Sequence, residues 1–197
     1  MVTQHRKCFQ LLGLSLAVCF LSGCLAYNIT QLKDVSSEEA IAVAKFRIVY
    51  NGEDVTKGSF VIFNAPDTGF VKYQFMLDET GYLFAKLPVG VNRIRFINHR
   101  SGFMQHHFGP EELTCQLSGS GVINYIGDIT AEWKGKGTGS AFAITAATGV
   151  FAQALFTQGK IRISVEANTA KTQEIVARKF ATSKSITPAL LAVKPNN

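Results

Sequence analysis

Most of the chain repeats one pattern: a short run with apolar side chains at every second position, closed by turn-forming residues. Phe46, Ile48 and Tyr50 alternate with Lys45, Arg47 and Val49 and run into Asn51-Gly52. Residues 59–63 end at Asn64-Ala65-Pro66-Asp67, and Val71, Tyr73, Phe75 and Leu77 precede Asp78-Glu79-Thr80-Gly81. Residues 82–87 meet Pro88-Val89-Gly90, and further runs follow at 91–97, 113–117, 122–133 and 160–165. A period of two is the signature of a strand with one buried face, and Asn-Gly supplies the positive φ angles of a two-residue hairpin. Many short strands spaced by turns predict a mainly β protein folded as a single β-sandwich. Leu83, Leu87, Ile94 and Phe96 are expected to include core positions, with Leu83, Ala85 and Leu87 on one face and Tyr82, Phe84 and Lys86 on the other.

Two segments break the β texture. After Trp133 the chain is glycine-rich, and residues 141–156 are apolar almost without interruption. Drawn as a helix, this stretch is apolar nearly all round, so it requires burial or lipid. It is short for a membrane span. A hydrophobic helical insertion at 135–159 is expected, either folded back on the sandwich or left for membrane or self-association, with a glycine loop as the remaining alternative. Glu174, Ile175, Val176, Arg178 and Phe180 predict a short C-terminal helix, capped at Asn168 or Thr169 and packed through Ile175, Val176 and Phe180. Residues 182–197 read as a tail. Residues 24–39 read as a tether, in which Ser36-Ser37-Glu38-Glu39 has the form of a cap.

The N-terminus carries a different signal. Arg6 and Lys7 precede an apolar run at 9–21 that ends in Leu21-Ser22-Gly23-Cys24. A basic flank, a short apolar core and small residues before a cut make a secretory signal. Those four residues resemble the lipobox of bacterial lipoproteins, in which the chain is cut before the cysteine and the cysteine is lipidated. The resemblance implies a signal peptide at 1–23 and lipidation at Cys24 with palmitate and a diacylglycerol anchor, while the strand pattern and terminal helix give the β-sandwich domain as 40–181. Leu25 is not an aspartate, which in that family favours the outer membrane, with the periplasmic face the default. Three acyl chains, usual in the family, make firm attachment, since one anchors only marginally.

Composition agrees with this reading. Removal of 1–23 leaves 174 residues and a net charge of +4, without a run of like charges of the kind that marks nucleic-acid binding. Cys8 and Cys19 leave with the signal and Cys24 is consumed by lipid, so Cys115 alone remains. Its parity with Leu113 and Leu117 predicts a buried thiol.

Gly81-Tyr82-Leu83-Phe84-Ala85-Lys86-Leu87-Pro88-Val89-Gly90, with the strand that follows, resembles the carboxypeptidase-regulatory-like, or prealbumin-like, sandwich. Asn51-Gly52-Glu53-Asp54-Val55 and Gly58-Ser59-Phe60-Val61 are similar to that family's first hairpin. The resemblance covers residues 40–98 and implies an accessory module without chemistry of its own. The Tyr-Arg-Gly-Ser signature of a transthyretin-like hydrolase is absent. Tyr125-Ile126-Gly127-Asp128-Ile129, with the 161–165 strand and the terminal helix, also resembles small envelope lipoproteins.

Candidate chemistry is sparse. His99, His106 and His107 fall near Glu111 and Glu112, but adjacent histidines on a strand point opposite ways, so a solvated loop is expected rather than a metal site. Ser118-Gly119-Ser120-Gly121 lacks the lysine of a phosphate loop and reads as a turn. Asp67, Asp78 and Glu79 sit in turns, where carboxylates serve local hydrogen bonds. The expectation is therefore a non-catalytic, cofactor-free envelope lipoprotein that binds a partner protein or cell-wall polymer. The alternative is a periplasmic small-ligand or glycan-binding module using exposed aromatics such as Tyr73, Phe103 and Trp133.

Overall fold

The computed structural model describes residue 29 and residues 31–32, 35–64, 72–99, 104–119, 121–135 and 160–194. The lipobox-like residues 21–24 and the apolar segment 141–156 lie outside the described residues. Among the described residues, two six-stranded sheets and one helix make up the regular structure, so the chain is mainly β, as the alternation predicts.

Sheet I is built on β1 (Glu39–Tyr50) and β9 (Ile123–Lys134), which run parallel. The far edge of β1 is shared by β2 (Glu53–Asp54) and β5 (Tyr82–Pro88), and that of β9 by β10 (Lys160–Glu166) and β11 (Ile186–Pro188). Sheet II has the order β12 (Ala192–Val193), β8 (Leu113–Leu117), β6 (Gly90–His99), β3 (Phe60–Asn64), β4 (Lys72–Met76), with β7 (Met104–His107) paired to β6. Asn51 and Gly52 have φ of 50° and 93°, so the Asn-Gly pair makes the hairpin its chemistry dictates. Two further turns carry the chain between sheets. Asp78 Oδ1 accepts the Thr80 and Gly81 amides as the chain passes from β4 to β5. At Gly81 (φ 69°) a Cβ would stand 2.1 Å from the Phe46 carbonyl oxygen, so only glycine fits. Pro88-Val89-Gly90 then carries it from β5 to β6.

Between the sheets lies the main core, including Phe46, Ile48, Phe63, Phe75, Leu83, Leu87, Ile94, Ile97, Ile129 and Cys115. A second core covers the outward side of sheet I. Here Ile41, Val43, Tyr82, Phe84, Ile123 and Tyr125 meet Val176 of helix α1 (Thr169–Phe180), with Ile175 and Phe180 alongside. Strand β5 is thus buried on both faces, and its two side-chain sets do not compete for one core.

Four expectations are corrected. Phe96 is half-buried and faces outward, because β6 carries a bulge: Phe63 opposes Ile94 while Ile62 opposes Phe96, leaving Arg95 extra. Described residues of the expected tether are docked, since Ile29 is buried, Leu32 and Val35 pack on the second core, and β1 begins at Glu39. The expected tail supplies β11 and β12, with Ile186 and Leu191 buried. The expected solvated histidine loop contains β7.

A second bulge lies in β9. Val43 opposes Tyr125 and Ala44 opposes Gly127, so Ile126 is extra. Tyr125 therefore faces α1, whereas Ile126 and Ile129 face the main core. Gly127 has φ 116°, and a Cβ there would stand 2.5 Å from Val165 Cγ1.

Candidate binding face

The outward side of sheet II is not covered by α1. Alternation places Phe60, Ile62 and Asn64 of β3 on this side, since Val61 and Phe63 belong to the main core. Phe60 opposes Met76, and Ile62 opposes Phe96, so these four residues form a contiguous apolar stripe, with the polar Asn98 at its end beside Phe60. Ile62 is 5% exposed in its middle, whereas Met76 is 53% exposed at one edge. Beyond the stripe, the Arg95 Nη2 donates to His107 Nε2 at 2.9 Å.

Next to the stripe, β6, β8, the 110–111 turn and Lys194 enclose a groove of about 310 Å³ lined by Val91, Arg93, Pro110, Glu111, Thr114 and Lys194. Val91 is 48% exposed. Arg93 Nη1 donates to the Pro110 carbonyl at 3.2 Å, while its buried Nε has no hydrogen-bond partner. Asn64, opposite Arg93 in the register, likewise has a buried Oδ1 without a partner. Lys194 Nζ pairs with Glu111 Oε2 at 2.8 Å, and that ammonium holds the Glu111 carboxyl below its ordinary pKa. The Arg93 guanidinium, lining the groove beside the half-exposed Val91, is a cation next to apolar surface and suits a polar or anionic group of a partner.

The histidines and carboxylates named from sequence do not converge. His99 Nδ1 contacts the Ser59 hydroxyl at 3.1 Å. Ser59 directs its own proton to the Val55 carbonyl at 2.6 Å, so the pair is a structural tie rather than an activated hydroxyl. His106 turns inward, with its ring centroid 4.7 Å from that of Phe108 and 5.9 Å from that of Trp133. Burial holds its pKa below the ordinary value. His107 faces outward to Arg95, and Glu112 accepts the Gly109 amide at 2.8 Å. Among the described residues no group of three or more metal-ligating side chains forms. Asp78 serves its turn, Glu79 pairs with Lys57, Asn124 bonds the Ser118 turn, and Asp67 lies outside the described residues.

Of the aromatics expected to be exposed, Trp133 is buried between Tyr50 and His106 and Tyr73 is half-buried, while Phe103 lies outside the described residues. Trp133 therefore does not serve a glycan platform. Cys115 is buried as parity predicts, and burial pushes its thiol up to about 12. Sequence reasoning missed Arg93 and Asn64, whose signal was only a polar residue in a strand.

No helix among the described residues is long and apolar enough to cross a membrane. No protein-family model matches the chain, and neither a curated protein nor a solved structure does.

Proposed function

We propose that the chain is a non-catalytic envelope lipoprotein, anchored by lipid on Cys24 at the periplasmic face of the outer membrane, whose sandwich binds a partner protein or cell-wall polymer. Leu21-Ser22-Gly23-Cys24, closing an apolar run behind Arg6 and Lys7, is the observation that carries the anchor. The binding role is supported by the outward side of sheet II, where the half-exposed Val91 lines one groove with Arg93. An apolar anchor with a desolvated arginine is the chemistry from which binding hot spots are made. The scatter of His99, His106 and His107 over three environments supports the non-catalytic part.

Labelled palmitate tests the anchor: it is expected in the wild type and not in Cys24→Ala, and equal labelling rejects it. Partner capture from envelopes tests the face. Arg93→Glu is expected to lose the partner that the wild type retains, and an unchanged set of partners rejects this face. The groove of about 310 Å³ favours one second reading, a small-ligand module. That reading expects a soluble cell-wall fragment to raise the melting temperature of the wild type but not of Arg93→Glu.

A further inference from the structure

The N-terminal segment is tied to the domain sooner than its composition suggests. The Ile29 amide donates to the Phe84 carbonyl at 2.9 Å, and the Ile29 side chain is buried in the second core beneath α1. Strand β5 pairs with only β1 among the described strands, so this bond lies along its remaining edge. Five residue steps separate Cys24 from Ile29, and an extended chain covers at most ~18 Å in that distance. An acyl group on Cys24 therefore holds the β5–α1 side of the sandwich close to the bilayer.

The charge on that side is net positive. Residues 169–185 carry Lys171, Arg178, Lys179 and Lys184 against Glu174, a net +3 of the +4 carried by residues 24–197. Thr172 and Val176 are the buried positions of α1, whereas Lys171, Glu174, Arg178 and Lys179 are exposed. Lys179 lies 4.6 Å over the Phe84 ring and so belongs to the packing. Lys171, Arg178 and Lys184 join none of the ion pairs among the described residues. Of the other charges nearby, Lys86 pairs with Glu39, and the acidic Asp128 and Glu166 oppose each other in the register at the start of the helix.

From the short reach and this charge we infer that the α1 face lies against the bilayer, with Lys171, Arg178 and Lys184 on the phosphates of anionic lipid. This inference rests on the proposed lipid anchor, for which the basic face is the second membrane signal. It leaves the outward side of sheet II directed away from the membrane, free for a partner. Basic residues near an anionic surface contribute about 1 kcal/mol each, or about fivefold in partitioning, and salt screens them.

Two experiments test it. The first uses the chain from residue 24 with Cys24→Ser, sedimented with phosphatidylcholine vesicles with or without phosphatidylglycerol. Partitioning is expected to rise with phosphatidylglycerol, fall with salt, and drop about a hundredfold in Lys171→Gln/Arg178→Gln/Lys184→Gln, whose melting temperature checks folding. Binding that ignores lipid charge, or a triple variant that partitions like the parent, overturns the inference. The second uses the lipidated protein on phosphatidylglycerol-containing vesicles, spin-labelled at Lys171→Cys or Val91→Cys. A water-soluble nickel chelate is expected to reach the Val91 site freely and the Lys171 site poorly, and equal or reversed access overturns the inference. Failure of palmitate labelling at Cys24 is a separate outcome that removes the anchor and the reach argument with it, while the first experiment, which does not use the lipid, tests the basic face by itself.

Discussion

Tyr125 and Asn168, 43 positions apart, are joined by one hydrogen bond in which the Asn168 amide donates to the tyrosine hydroxyl at 3.0 Å. Asn168 is the N-cap of α1, yet its side chain makes no capping bond. The Tyr125 hydroxyl in turn donates to Asp128 Oδ1 at 2.8 Å, so sheet I itself holds the start of the helix.

Tyr125→Phe keeps the ring and removes these bonds. The Asn168 amide and the Asp128 carboxylate then lose a partner at the edge of the second core. The expected cost is about 1–3 kcal/mol in urea unfolding, with faster amide exchange at the first turn of α1. A change below about 0.3 kcal/mol contradicts this role, being within the range of neutral surface changes.

The bulge at Arg95 makes a contrast that simple alternation does not. Ile94 is wholly buried while Phe96 is not, although both sit at even positions of one strand. Ile94→Ala and Leu87→Ala are each expected to lose about 2–5 kcal/mol, and Phe96→Ala less than either. Equal losses at Ile94 and Phe96 refute the bulge.

Alkaline stability follows from two buried acids. Burial pushes the Cys115 thiol from 9.0 to about 12, and burial with the nearby Asp128 pushes Tyr125 from 10.0 to about 12. Both folded pKa values are raised, so the unfolded chain releases these protons first. Their stabilisation is complete below about pH 9 and is lost as pH rises towards 12, at up to about 1.4 kcal/mol per pH unit for each group. Cys115→Ala removes the thiol's share and is expected to flatten the stability–pH curve between pH 9 and 10. A thiol reagent is expected to reach Cys115 only on unfolding.

Acid acts through His106. Its pKa is lowered, chiefly by burial, with Glu112 opposing and His107 adding to the shift. The folded state therefore takes up the proton at lower pH than the unfolded one. Stability is full above the ordinary histidine pKa of about 6.5 and falls as pH drops below it. Trp133, the chain's one tryptophan, packs against this ring and reports the change. Its emission is expected to be blue-shifted, protected from acrylamide at pH 7, and quenched as His106 protonates. His106→Gln is expected to abolish that quenching.

Local chemistry determined much of this protein. Asn51-Gly52 could only be a tight hairpin, Asp78 to Gly81 a hydrogen-bonded turn, and the alternating runs strands, because backbone φ preference and a period of two act over a few residues. Cys115 was readable as core from its parity with Leu113 and Leu117. The same is true of α1, whose buried Val176 recurs at helical spacing with Ile175 and Phe180. Only the tertiary structure decided where parity breaks. The bulges at Arg95 and Ile126 reverse which side of β6 and β9 faces the core, and nothing in a run of alternating residues announces one extra residue. Nor did composition reveal that Ile29, Ile186 and Leu191 are buried, since isolated apolar residues in polar stretches bury only against surface that distant segments provide. The unpaired Arg93 Nε arises in the same way, from strands that meet across a long separation in the chain.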